Sequence, residues 1–359
     1  MVNLPKSVIL ELTYKCNHKC KFCFCPWDAP SSTYKKGKEL TVHQWKETIN
    51  RLYLKGCEYF SVSGGEAMLK DGWEEIVRHI RVKGKEHGLN NPIVIISNGR
   101  LMSDESILLF KELGVHLSMS LPGYETFEWH TGVDGADNVL EWFEKANKVG
   151  LHTTANITVT KKNLSELFET IALALLNGAD DILLNRFLPG GRGLQYMSEL
   201  CLSVSEINEM LDIAEEVLER SGRIGYTGTE IPYCAIDDPQ KYKHLNIGYR
   251  CGAASNFMVV DASGHIRVCN HSPRVVGSIF EPSLITDVEY WNLFTGRNYQ
   301  PEDCRLCMAN KFCDCGCREV ASILTKSISA VDCSVELKYK RYYERHIQKK
   351  YVEKTLLTR

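Results

Sequence analysis

The sequence has no apolar run approaching membrane-spanning length, which argues against a helical transmembrane span. Net charge is equally scarce. The 43 Lys and Arg set against 45 Asp and Glu leave −2 at neutral pH, so no overall field draws the chain to nucleic acid or to an anionic membrane surface. There are no internal repeats and no low-complexity tracts, which leaves no sign of a solenoid or an array. The first residues, Met1-Val2-Asn3-Leu4-Pro5-Lys6, lack the basic, apolar, small-residue order of a secretion leader. A cytoplasmic protein without a disulfide framework is therefore expected. With 359 residues the chain has room for one large domain and a smaller one.

Cysteine, by contrast, is abundant and clustered. The chain holds fifteen, an odd number, and in a reducing compartment thiols at short spacings read as metal ligands. Cys16, Cys20 and Cys23 directly follow the apolar run 8–12. A short loop at a strand end lets three sulfurs converge, and three thiolates are one short of the four that close a [4Fe–4S] cluster, so one iron is left for another ligand. A zinc knuckle completed by His18 is the other reading of the same residues. The Cys-x3-Cys-x2-Cys spacing after the first strand resembles the radical SAM superfamily. That resemblance implies S-adenosylmethionine chelating the open iron, and reductive cleavage to methionine and a 5′-deoxyadenosyl radical.

From about residue 7 to 220, short β-branched runs alternate with helical stretches. The predicted strands are 8–12, 59–62, 93–97, 115–120, 153–159 and 181–187; the predicted helices are 43–55, 73–87, 104–113, 138–149, 164–176 and 205–220, with Thr41, Ser103 and Ser205 placed to cap. Six such repeats predict an α/β fold with a parallel sheet, open or closed into a barrel. The resemblance implies a partial (β/α)6 TIM-like barrel over 1–222, with its reacting centre at the C-terminal ends of the strands.

Ser63-Gly64-Gly65-Glu66 follows the second strand. Paired glycines permit close backbone approach and the carboxylate can accept from an ammonium group, although alone the motif is also a plain turn. By resemblance, Gly64, Gly65 and Glu66 take the SAM amino group. The resemblance also gives Asn98 at the third strand end a cofactor contact, Ser118 and Ser120 the ribose, and Asn156 the adenine pocket. A polar turn and an ordinary buried strand are the bland readings of the first and last. Leu121-Pro122-Gly123 stands where relatives often carry an acidic residue. Arg186 is a fork suited to the methionine carboxylate, and Arg192, in the Pro189–Gly193 turn, can serve a substrate.

The segment 224–333 is rich in Gly and Pro and holds nine of the fifteen cysteines. Its low apolar content predicts dependence on metal clusters. Cys251, Gly264 with Cys269 four residues beyond it, Cys304, Cys307, Cys313, Cys317 and Cys333 resemble, in order and spacing, the SPASM domain. The resemblance places that domain at 223–335 and implies two auxiliary [4Fe–4S] clusters. One takes Cys304, Cys307, Cys313 and Cys333; the other takes Cys251, Cys269 and Cys317, with Cys234 as fourth ligand or with an open iron. Cys315 is an alternative to Cys317. A zinc ribbon fits Cys304-x2-Cys307 and Cys313-x3-Cys317 as well. Cys25, Cys57 and Cys201 read as buried apolar thiols, Cys25 with a supporting role by its closeness to the triad. The basic tail 336–359, with Lys338, Lys340, Arg341, Arg345, Lys349, Lys350 and Lys354, reads as a helix with a solvated face or as a site for an acidic peptide.

The SPASM resemblance implies oxidative modification, most of all crosslinking, of a ribosomally made precursor peptide, with a flavodoxin- or ferredoxin-type electron donor. Because the barrel begins almost at Met1, a peptide's leader is expected to be held by a separate leader-recognition protein, by the basic tail or by the catalytic surface; neither nucleic acid nor membrane is expected. Sulfatase-maturing relatives carry an aspartate directly after the Gly-x4-Cys cysteine, and here that place is Asn270, a neutral amide that takes no proton. His271 beside it is the candidate base. The same chemistry on a small molecule such as a tetrapyrrole side chain, and a non-catalytic zinc module, are the alternatives.

Overall fold

Six parallel strands carry the frame of the computed structural model, which describes residues 2–30, 32–332 and 335. The strands β1 (Ser7–Glu11), β2 (Tyr59–Ser63), β3 (Ile93–Ser97), β4 (Val115–Ser120), β5 (Thr153–Val159) and β6 (Asp181–Arg186) pair in chain order. A helix crosses over after each one, as the period-2 and period-3.6 runs dictate. Along the strands the two faces differ in kind. One set, including Leu10, Val62, Ile95, Leu117, Ile157 and Leu184, is fully buried with the apolar stripes of the helices. The other set, including Ser61, Ser63, Ser118, Ser120, Thr154, Asn156 and Asn185, is polar and mostly half-buried. Paired residues of parallel strands point the same way, so this polar set lines the inside of a half-barrel.

Helix starts follow local chemistry. Thr41 and Ser103 cap Val42–Leu54 and Asp104–Glu112, each through a capping box. The last crossover helix, Val204–Ser221, is capped by Ser203 rather than the expected Ser205. Ser203 and Glu206 form a reciprocal box there, which satisfies two backbone donors where Ser205 would satisfy one.

The expected boundary at residue 222 does not interrupt the sheet. β7 (Gly225–Thr227) pairs with β6 and β8 (Leu245–Asn246) with β7. At the opposite edge β9 (Phe257–Val260) runs parallel to β1, followed by antiparallel β10 (His265–Arg267) and β11 (Gly277–Ser278). Among the described residues one eleven-stranded sheet results. The reason is that a half-barrel, unlike a closed one, leaves unpaired donors and acceptors at both edges, and the cysteine-rich segment covers them. That segment also has more core than its composition suggests. Trp291 and Phe294 of helix Val288–Thr295, together with Tyr299, Val276 and Ile285, are buried in the same cluster as the barrel core. The predicted basic helix 336–359 lies outside the described residues. Among those described, no helix is long and apolar enough to cross a membrane.

Candidate cofactor and cluster sites

Cys16, Cys20 and Cys23 lie in the loop after β1, at the C-terminal end of the sheet. Two neighbouring segments hold this loop. Lys19 and Lys21 donate their N–H groups to the carbonyls of Thr131 (2.8 Å) and His130 (2.8 Å) at the end of helix Phe127–Thr131. From the other side Gly193 N–H donates to Cys23 O (3.0 Å), while Arg192 donates to Cys20 O (3.2 Å) and pairs with Asp28 (2.8 Å). Gly191, at φ +48°, sits where a Cβ would meet Cys23 O at 2.5 Å, so only glycine fits that approach. The Pro189–Gly193 turn is thus a clasp on the loop, and the guanidinium of Arg192 is spent there rather than on a substrate. Its charge favours the thiolate form of all three cysteines.

As bare thiols the triad is strained electrostatically. Burial pushes Cys16 up, and Cys20 well up, with the negative charge of Cys23 adding to both. Cys23 is lowered, because the thiol of half-buried Cys25 donates a hydrogen bond to its sulfur. Mutually repelling, desolvated thiols with one cation behind them are a donor set that a multiply charged iron cluster would satisfy.

Gly64 and Gly65 do their work against protein. A Cβ on Gly65 would lie 2.1 Å from Lys15 O, and Gly65 and Glu66 donate N–H groups to Thr13 O and Lys15 O, both at 2.8 Å. The glycines therefore weld the β2 end to the start of the cysteine loop. The Glu66 carboxylate, 2% exposed, accepts from Met68 N–H (3.2 Å), Ser97 hydroxyl (3.0 Å) and Asn98 N–H (2.8 Å); burial still raises its pKa. Asn98 in turn reaches the triad, its Nδ2 lying 3.9 Å from Cys16 Sγ and donating to Asn17 Oδ1 (2.7 Å). Ser118 pairs in register with Thr154, and Ser120 with Asn156, on the inner face. Asn156 Oδ1 accepts from Asn185 Nδ2 (2.7 Å). The Ser118 hydroxyl is buried with no partner among the described residues, which suits a polar ligand inside the barrel. The residues gathered at these strand ends fit a cluster and a polar cofactor.

Arg186 is not brought to that place with a free guanidinium. It is 3% exposed, pairs with Asp332 (2.8 Å) and donates to Glu230 O (2.9 and 3.0 Å). His271 is likewise engaged. Its Nε2–H donates to Pro189 O (2.9 Å), its ring stacks on Phe24 with centroids 5.4 Å apart, and burial lowers it to about 4, so it is neutral near pH 7.

The later cysteines divide into two groups. Cys234, Cys304, Cys307, Cys313 and Cys315 line one cavity with Tyr233, Val331 and Val335. Cys251, Cys269 and Cys317 are electrostatic neighbours in the other. Two expectations are corrected by this division. Cys234 leaves the group of Cys251, because Tyr233 packs between Tyr249 and Phe312, at 5.3 and 4.9 Å, and donates its N–H to Cys313 Sγ (3.5 Å). Cys315 does not replace Cys317, because its backbone turns at φ +63°, its N–H donates to Cys313 Sγ (3.4 Å) and it lines the cavity of Cys304 and Cys313. Cys333 lies outside the described residues. Among the described residues no three His, Cys, Asp or Glu side chains are close enough to hold a single metal ion.

Supporting residues that the sequence reading passed over are acidic and basic side chains beside the cysteines. Asp314 accepts from Cys251 N–H (2.9 Å) and Asp332 from Cys317 N–H (3.0 Å). Arg267, fully buried and paired with Glu11 of β1, holds the carbonyls of Asn270 (3.0 Å) and Ser272 (2.8 Å) and so fixes the turn after Cys269. The adjacency of Asp314 to Cys313 and of Asp332 to Cys333 was the available signal.

Residues 10–174 match the model of the radical SAM superfamily. The chain is 25% identical over 344 residues to a PqqA peptide cyclase of Bradyrhizobium diazoefficiens, covering 92% of this chain and 85% of that protein. It is 28% identical over 345 residues to an AdoMet-dependent heme synthase of Methanosarcina barkeri, covering 90% and 94%. The fold superposes on the crystal structure of Streptococcus suis SuiB bound to precursor peptide SuiA with a TM-score of 0.69, at 17% identity, over 92% of this chain and 76% of that one. The parallel half-barrel and the three thiols at the end of its first strand fit this match, and residues 10–174 form a radical SAM domain.

Proposed function

We propose that this radical SAM enzyme oxidatively modifies side chains of a precursor peptide, forming a crosslink, with three [4Fe–4S] clusters. The observation that carries the reading is the reach of the likeness to PqqA peptide cyclases. It covers 92% of the chain, cysteine-rich segment included, and not only residues 10–174. Cys16, Cys20 and Cys23 hold the first cluster. Cys251, Cys269 and Cys317 hold the second, and Cys304, Cys307 and Cys313 the third, with a further thiol from Cys234, Cys315 or Cys333. When bound, the reduced cluster with S-adenosylmethionine supplies a 5′-deoxyadenosyl radical, and the auxiliary clusters accept the electron that a closed-shell product must lose.

This chain's residues position and shield. Glu66 fixes Asn98 against the cysteine loop, Arg192 sustains the thiolates, and Ser118, Ser120 and Asn156 present polar groups to the inside of the barrel. Arg186 holds the cysteine-rich segment on the barrel through Asp332 instead of binding the cofactor carboxylate. His271 positions the Pro189 turn. A flavodoxin- or ferredoxin-type donor is the partner this reading requires, and a separate leader-recognition protein is one way of presenting the peptide.

Coexpression without air alongside the small peptides encoded next to the gene tests it, read by mass spectrometry. A loss of two hydrogens for each bond formed is the expected result. Unchanged mass with backbone deuterium uptake would replace crosslinking by epimerisation. The 28% identity to an AdoMet-dependent heme synthase favours a second reading, the same chemistry on a tetrapyrrole side chain; loss of carbon dioxide or formate from an added tetrapyrrole, with the peptides untouched, would establish it instead.

A further inference from the structure

The cysteine loop carries positive charge towards solvent. Lys19 and Lys21 flank Cys20, and Lys162 follows β5; Lys19 and Lys162 are exposed, and Lys21, Trp129 and Tyr196 are half-buried. The Lys21 ammonium lies over the Trp129 ring, 3.6 Å from its centre, and 5.6 Å from the centre of the Tyr196 ring. The Lys162 ammonium lies 5.7 Å from the centre of the same Trp129 ring. An indole face attracts cations, so one ring gathers two ammonium groups that would otherwise repel each other. His130 meets that ring edge-on at 4.9 Å, and both lysine charges add to the effect of burial in keeping it neutral.

The carboxylates nearest along the chain are already taken. Glu11 pairs with Arg267, Asp28 with Arg192 (2.8 Å), and Glu166 accepts from the N–H groups of Tyr124 (3.2 Å), Glu125 (2.6 Å) and Thr126 (3.1 Å). Exposed Glu125 and Glu128 form no ion pair with the three lysines, and none of the three has one among the described residues. Their counter-charge therefore has to come from outside.

Position says what brings it. The loop that bears Lys19 and Lys21 also supplies Cys16, Cys20 and Cys23, and the N–H groups of these two lysines fasten it to residues 130 and 131. A protein seated on the lysines is one loop away from the three thiols. A peptide substrate has to reach the inner face of the barrel instead, where Ser118, Ser120 and Asn156 lie. Encounters between electron carriers are small and guided by charge, so they need no apolar groove.

We propose that Lys19, Lys21 and Lys162, arranged around Trp129, are the docking face for a small acidic electron-carrier protein that reduces the cluster held by Cys16, Cys20 and Cys23. The inference rests on the reading of those cysteines as cluster ligands and of the donor as flavodoxin- or ferredoxin-type. In the step served, one electron leaves the carrier and enters the cluster, and no bond forms or breaks.

Binding to the full, cluster-loaded chain is measured without air against a bacterial flavodoxin and, separately, a bacterial ferredoxin, at low and at physiological salt. At least one should bind, with a Kd that rises with salt. Lys162→Glu, which lies outside the cysteine loop, should raise that Kd about tenfold at low salt and flatten its salt dependence. Lys162→Arg should leave both as in the parent, and dithionite-driven release of 5′-deoxyadenosine should be equal in all three proteins. Carbodiimide cross-linking should join Lys19, Lys21 or Lys162 to carboxylates of the carrier. Equal Kd values for the parent and Lys162→Glu, binding by neither carrier, or cross-links confined to Lys311 of the cysteine-rich segment would each overturn the docking face, while dithionite-driven release keeps the radical chemistry standing. If the parent releases no 5′-deoxyadenosine with dithionite, the reading and the docking face fall together.

Discussion

In the half-barrel, order comes from periodic apolar runs: each strand buries one face with a helix stripe, and only a few charged residues, Glu11, Glu66, Arg81 and Arg186, are buried within it. Beyond Gly222 regular elements are short, and the interior is rich in charge. Asp261, Arg267, Asp314, Arg318, Glu319 and Asp332 are all buried there. Arg318 alone gathers the carbonyls of Gly316 (3.1 Å), Ala330 (2.7 Å) and Ile328 (3.3 Å). One region is held by area removed from water, the other by arginine forks closing loops that are too polar to collapse. The comparison teaches that the second region is not self-standing. It borrows sheet edges and core from the first, and in return caps the end where the cysteine loop lies.

The sharpest break of that comparison is at the triad. Replacing Cys16, Cys20 or Cys23 with alanine should reduce 5′-deoxyadenosine release to background in an anaerobic assay with dithionite and S-adenosylmethionine, while leaving the barrel folded by circular dichroism. Next in size is the response to iron removal. If loops 302–317 depend on clusters and β9 does not, then in chelator-treated protein the amides of Phe257–Val260 keep their hydrogen-exchange protection and those of 302–317 lose it. Uniform loss in both would show that the borrowed edge is insufficient.

Arg267→Met tests the join itself. Leaving Glu11 buried and unpaired on β1 should cost roughly 3–5 kcal/mol, measured by urea unfolding, with protection lost in β1 and β9 together. Within the barrel, His130 is fully buried between Thr126 O and the Thr160 hydroxyl, both at 2.9 Å, and burial lowers it to about 4. Its unfolded counterpart, near 6.5, takes a proton first. Stability should therefore fall as pH drops from about 6.5 towards 4, by about 3 kcal/mol from this residue, and His130→Gln should flatten that part of the acid profile. The smallest effect belongs to a local signal: Ser203→Ala removes one half of the capping box on Val204–Ser221 and should lower stability by about 1 kcal/mol, without touching cluster content.

The six strands and six crossover helices were legible to within a few residues, because each run carries its own period and three of the helices their own cap. So was the grouping of Cys16, Cys20 and Cys23, since a strand followed by a short loop keeps the three together whatever the rest does. Glu66 stood out in the sequence beside its paired glycines, but that its carboxylate would be taken up by Ser97 and Asn98 depends on a neighbouring strand.

What the sequence by itself determined is therefore what local spacing governs: strands, helices, caps, and the loop that gathers three thiols. Only the tertiary structure decided that β9 would lie against β1, that Arg192 would clasp the cysteine loop, that Arg186 would bind Asp332, and that Cys234 would join Cys304 instead of Cys251. Each of these pairs residues separated by dozens to hundreds of positions. Nothing in a period or a spacing encodes which of several equally suitable partners the folded chain will bring within reach.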